Sequence, residues 1–202
     1  MIPTIRLNWK RYTDGFKAHL ERPNVFVPQS ERIEPLFYEA GDLENPVVLH
    51  FINCRSAGNY IAFLSRFGPL DGGDLVNLKS LIFRAYAFRY NALFTIDNRS
   101  APQERMRFLN TVMKDISLRP TFLSLETTGN GQLVLEAATL DDFMVMELAA
   151  IHEAGAVATS CEHCRKAFLT GPRTGRRSHA KYCSDRCRVA AMRARNAAKE
   201  ED

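Results

Sequence analysis

The sequence predicts an α+β protein. A mostly helical N-terminal domain with one β-hairpin is expected over residues 1–160, and a small cysteine-bearing module over residues 161–202. Three observations predict this. Apolar residues recur at intervals of three and four between Asp74 and Phe94, the period of a helix with one buried face. Two β-prone runs flank Asn130-Gly131, a pair that supplies the positive φ of a tight hairpin turn. Four of the five cysteines fall between Cys161 and Cys187, where apolar residues thin out and arginine takes over.

Taken in order, residues 1–22 show no clear period and read as an irregular entry segment. The runs "NVFVPQ" and "IEPLFYEA" are interrupted by Pro28 and Pro35. They are expected as edge strands or irregular structure, because proline cannot donate to a sheet ladder. "NPVVLHFINC" fits either a strand or the start of a buried helix. Ile61, Leu64 and Phe67 keep helical spacing, and Gly68-Pro69 ends that helix. In the long helix from Asp74, the expected inward residues are Leu75, Leu78, Leu81, Ile82, Ala85, Phe88 and Ala92. Ser100 with Gln103 three residues later, and Pro102 in the first turn, mark the next helix start. Met106, Leu109, Val112, Met113 and Ile116 share its apolar face. Thr139 with Asp142 opens a further helix, and Gly155 closes it.

With 202 residues and 46% hydrophobic content, the chain is long and apolar enough to fold around a core. No run of 18 apolar residues occurs, so no membrane span is expected. The N-terminal residues lack the apolar run of a secretory leader, and an odd cysteine count fits a reducing compartment, so a cytoplasmic protein is expected. The net charge of +4 is unevenly placed. Residues 161–199 hold eleven lysines and arginines against only Glu162 and Asp185, so the basicity is local to the cysteine segment.

The cysteines follow a C-x2-C, C-x3-C pattern: Cys161, Cys164, Cys183 and Cys187. A two-residue spacer folds a tight knuckle that aims both sulfurs at one point. A three-residue spacer suits the first turn of a helix, where residues four apart share a face. Ser184 can cap such a helix, and Asp185 suits the positive field at its start. A disulfide needs an oxidising compartment, and a thioredoxin-like pair needs a βαβ setting. An iron–sulfur cluster also accepts four thiolates. The compact pairing and the helix placement favour one structural Zn2+ in a treble-clef-like module, with "RKAFLT" as a strand and Phe168 packed beside the metal. His163 and His179 could each replace a thiolate. Cys54, His50 and His152 stand alone among apolar residues and read as buried or half-buried structural groups.

"CEHCRKAF…KYCSDRCRVAAMRAR" resembles the C-terminal zinc finger of the bacterial CGNR zinc-finger proteins, which join it to an N-terminal ABATE domain. The resemblance extends over about residues 47–199. The family's Cys-Gly-Asn-Arg stands here as Cys187-Arg188-Val189-Ala190. It implies a transcriptional regulator, a function carried by the resemblance and not by residue spacing.

The last helix places Cys187, Ala190, Ala191, Ala194 and Ala197 on one side, with Arg186 and Arg193 on one flank and Arg188 and Arg195 on the other. The preceding loop adds Arg173, Arg176, Arg177 and Lys181. Guanidinium groups suit phosphate contacts, so these eight residues are the expected nucleic-acid surface, with DNA the expected partner. RNA binding, a zinc module that contacts another protein, and a solvated basic tail stand beside this reading. Tyr182 is the one aromatic residue between 169 and 199, which disfavours a base-stacking platform. The N-terminal domain is expected to sense a small-molecule effector or to form a homodimer. No phosphate-loop, dinucleotide-binding or nucleophile-elbow motif occurs, so no enzyme is expected. Glu136, Asp141 and Asp142 are its acidic candidates; Arg84, Arg89 and Arg99 could line an anion pocket or simply carry surface charge.

Overall fold

The computed structural model describes residues 4–41, 43–95, 101–124 and 131–200. The chain opens with four strands: β1 (Thr4–Tyr12), β2 (Phe16–Ala18), β3 (Val25–Pro28) and β4 (Ile33–Glu39). Then follow α1 (Val47–Ile52), α2 (Ala57–Phe67), β5 (Val76–Asn77), α3 (Leu78–Thr95) and α4 (Pro102–Val112). A 3-10 turn at Met113–Asp115 leads to β6 (Leu118–Ser124), β7 (Gly131–Ala137), α5 (Leu140–Glu153), β8 (Val157–Ser160), β9 (Ala167–Thr170) and α6 (Asp185–Glu200). The fold is α+β, and mixed rather than mostly helical.

The difference lies at the N-terminus. Residues 1–22, expected as irregular, supply β1 and β2. The main sheet has the order β4-β1-β7-β6, with β1 antiparallel to β4 and parallel to β7. Pro35 and Pro120 lie in β4 and β6, the two edge strands, where a missing N–H breaks no ladder. "NVFVPQ" is instead the middle strand of a small β2-β3-β5 sheet, with Pro28 at its last position. "NPVVLHFINC" resolves to the helix α1.

One core joins these layers. Leu7 on β1, Phe51 on α1, Leu64 on α2, Ala85 on α3 and Phe143, Met144 and Leu148 on α5 are all essentially inaccessible. Phe51, Phe63 and Phe67 pack ring against ring at 4.9–5.0 Å along the α1–α2 contact. Ser56 caps α2 by accepting from the Asn59 N–H, and Gly68 ends it. Gly68 has φ +85°, and a Cβ there would come within 2.3 Å of the Lys10 carbonyl oxygen, so only glycine fits. Thr139 caps α5 through the Asp142 N–H, and Gly155 follows its end with φ +68°. Gly68, Thr139 and Gly155 match the sequence reading.

Three expectations shift. The long helix begins at Leu78, and Leu75 and Ile82 are exposed (71% and 48%) where an inward face was expected. Met106 on α4 is likewise exposed, while Leu109 is buried. The α4 cap sits one residue later than expected: Ala101 is the N-cap, and Glu104 accepts from its N–H at 3.4 Å. Ser100 and Asn130 lie outside the described residues, and Gly131, expected in the tight turn, is instead the first residue of β7, paired with Ser124. The flanking strands β6 and β7 pair from Leu118↔Ala137 to Ser124↔Gly131, so the hairpin itself stands.

Candidate metal centre and its surroundings

Cys161, Cys164, Cys183 and Cys187 bring their sulfurs within 4.8 Å of one another, a cluster compatible with one bound metal ion. The local sequence explains the convergence. Strands β8 and β9 pair antiparallel, from Val157↔Thr170 to Ser160↔Ala167, and the first cysteine pair lies in the turn at their tip. The Cys161 N–H donates to the Lys166 carbonyl, and the Arg165 N–H to the Cys161 carbonyl, both at 2.9 Å. Arg165 takes φ +61° to close this knuckle, a left-handed conformation costing about 1 kcal/mol for a residue with a Cβ. A second tight turn follows. The Gly171 N–H donates to the Arg176 carbonyl, and buried Thr174 donates to the Gly171 carbonyl at 2.8 Å. The chain then returns to the knuckle, where the Glu162 N–H donates to the Lys181 carbonyl at 3.0 Å.

Ser184 caps α6 as expected, accepting from the Cys187 N–H at 3.3 Å. This sets Cys183 before the first turn and Cys187 within it, with sulfurs 3.5 Å apart; Cys164 and Cys183 are 3.6 Å apart. Cys161 is fully buried and Cys164 exposed, so the cluster opens on one side. Burial would raise the Cys161 thiol, but N–H groups of Cys164, Cys183 and His163 favour its thiolate and bring it down to about 6. Burial and the neighbouring sulfurs push Cys183 the other way. His163 and His179 are exposed and outside the cluster.

The hairpin is fastened to the N-terminal part by one side chain. Asn53, at the end of α1, donates through Nδ2 to the Ala167 carbonyl and accepts at Oδ1 from the Ala167 N–H, both at 2.8 Å. Phe168 is buried, and Leu169 joins the core formed by α1, α2 and α5.

The eight basic residues fall into two groups. Arg176 lies over the Phe168 ring and donates to the Cys183 carbonyl at 3.0 Å; Lys181 pairs with Glu162 and Arg188 with Asp185. Arg173, Arg177, Arg186 and Arg193 are exposed, and their side chains have no hydrogen bond or ion pair among the described residues. Arg195, also exposed, donates back to the Ala191 carbonyl. Met192 through Ala197 are all exposed, and six consecutive residues exceed one helical turn, so none of the described residues covers that part of α6 on any side. A groove of about 450 Å³ between the 175–182 loop and the start of α6 is lined by Arg177, His179, Lys181 and Arg188.

The remaining candidates have structural partners. Arg84 pairs with Asp141, and Arg89 donates to the Ile52 and Cys54 carbonyls at the end of α1. Arg99 lies outside the described residues. Glu136 is buried and accepts from Asn8, Thr121 and Arg119, which hold its carboxyl below the ordinary range, Arg119 most strongly. Burial pushes the Cys54 thiol up to about 11, and it donates to the His50 carbonyl. Two residues that fasten the fold around this site had no sequence signal: Asn53, and Glu147 on α5, whose partners are about a hundred residues away. No helix among the described residues is long and apolar enough to cross a membrane. Set against family models, curated proteins and solved structures, the chain matches none.

Proposed function

We propose that residues 161–200 form a zinc-stabilised module that binds duplex DNA for a transcriptional regulator. One Zn2+ would be held by Cys161, Cys164, Cys183 and Cys187. Sulfurs at about 2.3 Å from a tetrahedral zinc ion lie about 3.8 Å from each other, and the separations of 3.5 and 3.6 Å here are close to that edge. Four thiolates fill the shell, so the ion serves folding, not catalysis.

The observation that carries the reading is the exposed stretch 192–197 of α6 together with the unpaired side chains of Arg173, Arg177, Arg186 and Arg193. Unpaired guanidinium groups on a projecting helix can neutralise phosphates without first breaking internal ion pairs. Arg176, Lys181 and Arg188 already have partners, so their part is to shape the groove and add to its field. The N-terminal part is the sensing or self-associating portion in this reading.

A mobility-shift titration of the full zinc-loaded chain on duplex DNA tests it. Retardation is expected at low salt, weakening steeply as salt rises. Arg186→Glu with Arg193→Glu should lower affinity about ten-fold or more with zinc content unchanged. No retardation at low salt by the zinc-loaded chain would overturn the proposal.

A further inference from the structure

A cavity of about 390 Å³ lies where α1 and α2 meet the cysteine hairpin. Its walls have two characters. Leu49, Phe63, Phe67 and Phe168 give it an apolar, largely aromatic floor, and all four are otherwise buried in the fold. Arg66, Lys166 and Arg176 line it with positive charge, against Glu44 as the one acidic residue. Arg66 and Lys166 have no ion-pair partner among the described residues. The Arg66 guanidinium lies 5.0 Å from the centre of the Phe67 ring and that of Arg176 lies 5.8 Å from the centre of Phe168, so two lining rings each hold a guanidinium in place. The imidazole of His50 and the amide of Asn59 add hydrogen-bonding groups to the same wall. Charge left unneutralised beside low-dielectric walls concentrates a positive potential inside the cavity, and a few polar groups over an apolar floor are the ordinary composition of a small-molecule site of this size.

We propose that this cavity binds a small organic anion, a carboxylate or phosphate carried on a flat apolar body, with Arg66 and Lys166 meeting the charge and the phenylalanine floor receiving the body. The site goes beyond the nucleic-acid reading: the two share Arg176, whereas Arg173, Arg177, Arg186 and Arg193 do not line the cavity. It also places the ligand across a junction. Asn53 and Phe63 come from the helical part, Lys166 and Phe168 from the hairpin, and Arg176 donates to the carbonyl of Cys183, which lines the cavity too. An occupant therefore strengthens the seating of the cysteine hairpin on the helices, and the chain gains stability in proportion to the occupancy.

Calorimetric titration of the full, zinc-loaded chain with phenyl phosphate tests the site, with inorganic phosphate and phenol run beside it. Saturable one-to-one binding of phenyl phosphate is expected, with a raised unfolding temperature and amide shifts at Asn53 and Lys166. Affinity should exceed that for either fragment by about ten-fold or more, since only the whole molecule engages both floor and rim. Arg66→Gln with Lys166→Gln, two exposed and unpaired positions, should weaken binding by about ten-fold or more while zinc content stays constant. Arg186→Gln with Arg193→Gln should bind phenyl phosphate unchanged, which separates this site from any nucleic-acid surface. The proposal is overturned by an absence of saturable binding, by binding that survives Arg66→Gln with Lys166→Gln, or by inorganic phosphate binding as tightly as phenyl phosphate.

Discussion

Glu147 shows what one buried carboxylate does for this fold. It is 5% exposed, and its two oxygens accept the N–H groups of Val47 and Val48 at 2.9 and 2.7 Å. Pro46 occupies the N-cap of α1 and has no side chain to cap with, so α5 supplies the missing acceptor from a distance. Glu147→Ala leaves two buried donors unsatisfied. A loss of about 2–4 kcal/mol in unfolding free energy is expected, read as a lower urea midpoint with an unchanged slope. His50 sets a second effect at this scale. Burial lowers its pKa, and the fields of Arg66 and Lys166 lower it further. Above about pH 6.5 the imidazole is neutral whether the chain is folded or not. Below that, the unfolded chain takes up a proton that the folded chain refuses, so stability falls as pH drops toward the lower folded pKa. His152 is shifted the same way by burial and Arg105. Urea midpoints at about pH 7.5 and about pH 5.5 should therefore differ, and His50→Gln with His152→Gln should shrink the difference. A difference that persists in that variant would assign the effect elsewhere.

Among the elements, legibility follows the range of the contacts that define them. The end of α2 and both ends of α5 were legible because Gly68, Thr139 and Gly155 act within one turn of their own position, whereas the Ser56 cap of α2 came only with the structure. Helix α6 and its Ser184 cap were legible for the same reason. Strand β1 was not. Its partners are β4, more than twenty residues on, and β7, about 130 residues on, and only Leu7 and Tyr12 of its nine residues are buried, too few to show a strand period. The outward exposure of Ile82 on α3 was hidden too, because α3 carries apolar residues on most of its circumference and period alone cannot choose the buried side. The hairpin β8–β9 depends on the Asn53 amide, which pairs with both backbone groups of Ala167 as a neighbouring strand would. Asn53→Ala should cost about 1–3 kcal/mol and sharply raise amide exchange at Ala167, with α2 and α5 unaffected. Unchanged exchange at Ala167 would mean that the Phe168 and Leu169 packing alone seats the hairpin.

For the whole molecule, metal removal separates what the core supports from what the ion supports. Residues 171–197 contribute few buried side chains, whereas Leu7, Phe51, Leu64 and Leu148 belong to a core formed without the cysteine cluster. Chelation of the full chain is expected to disorder the turns from Cys161 to Cys187 and fray the start of α6, while the sheet and α1–α5 persist; amide spectra before and after chelation report this directly. Global unfolding on chelation would make the ion part of the main core. What the sequence by itself determined about this protein was local: the end of α2, the caps of α5 and α6, the β6–β7 strand pair, and the metal-ligand spacing, each written within a few residues by capping, β-propensity and spacer chemistry. What only the tertiary structure decided was long-range. It joined β1 to β7, sent Glu147 to the start of α1, hung the cysteine hairpin on Asn53, and closed a cationic, aromatic-floored cavity between them. Such contacts depend on which surfaces meet after the chain has collapsed, and no short-range pattern carries that information.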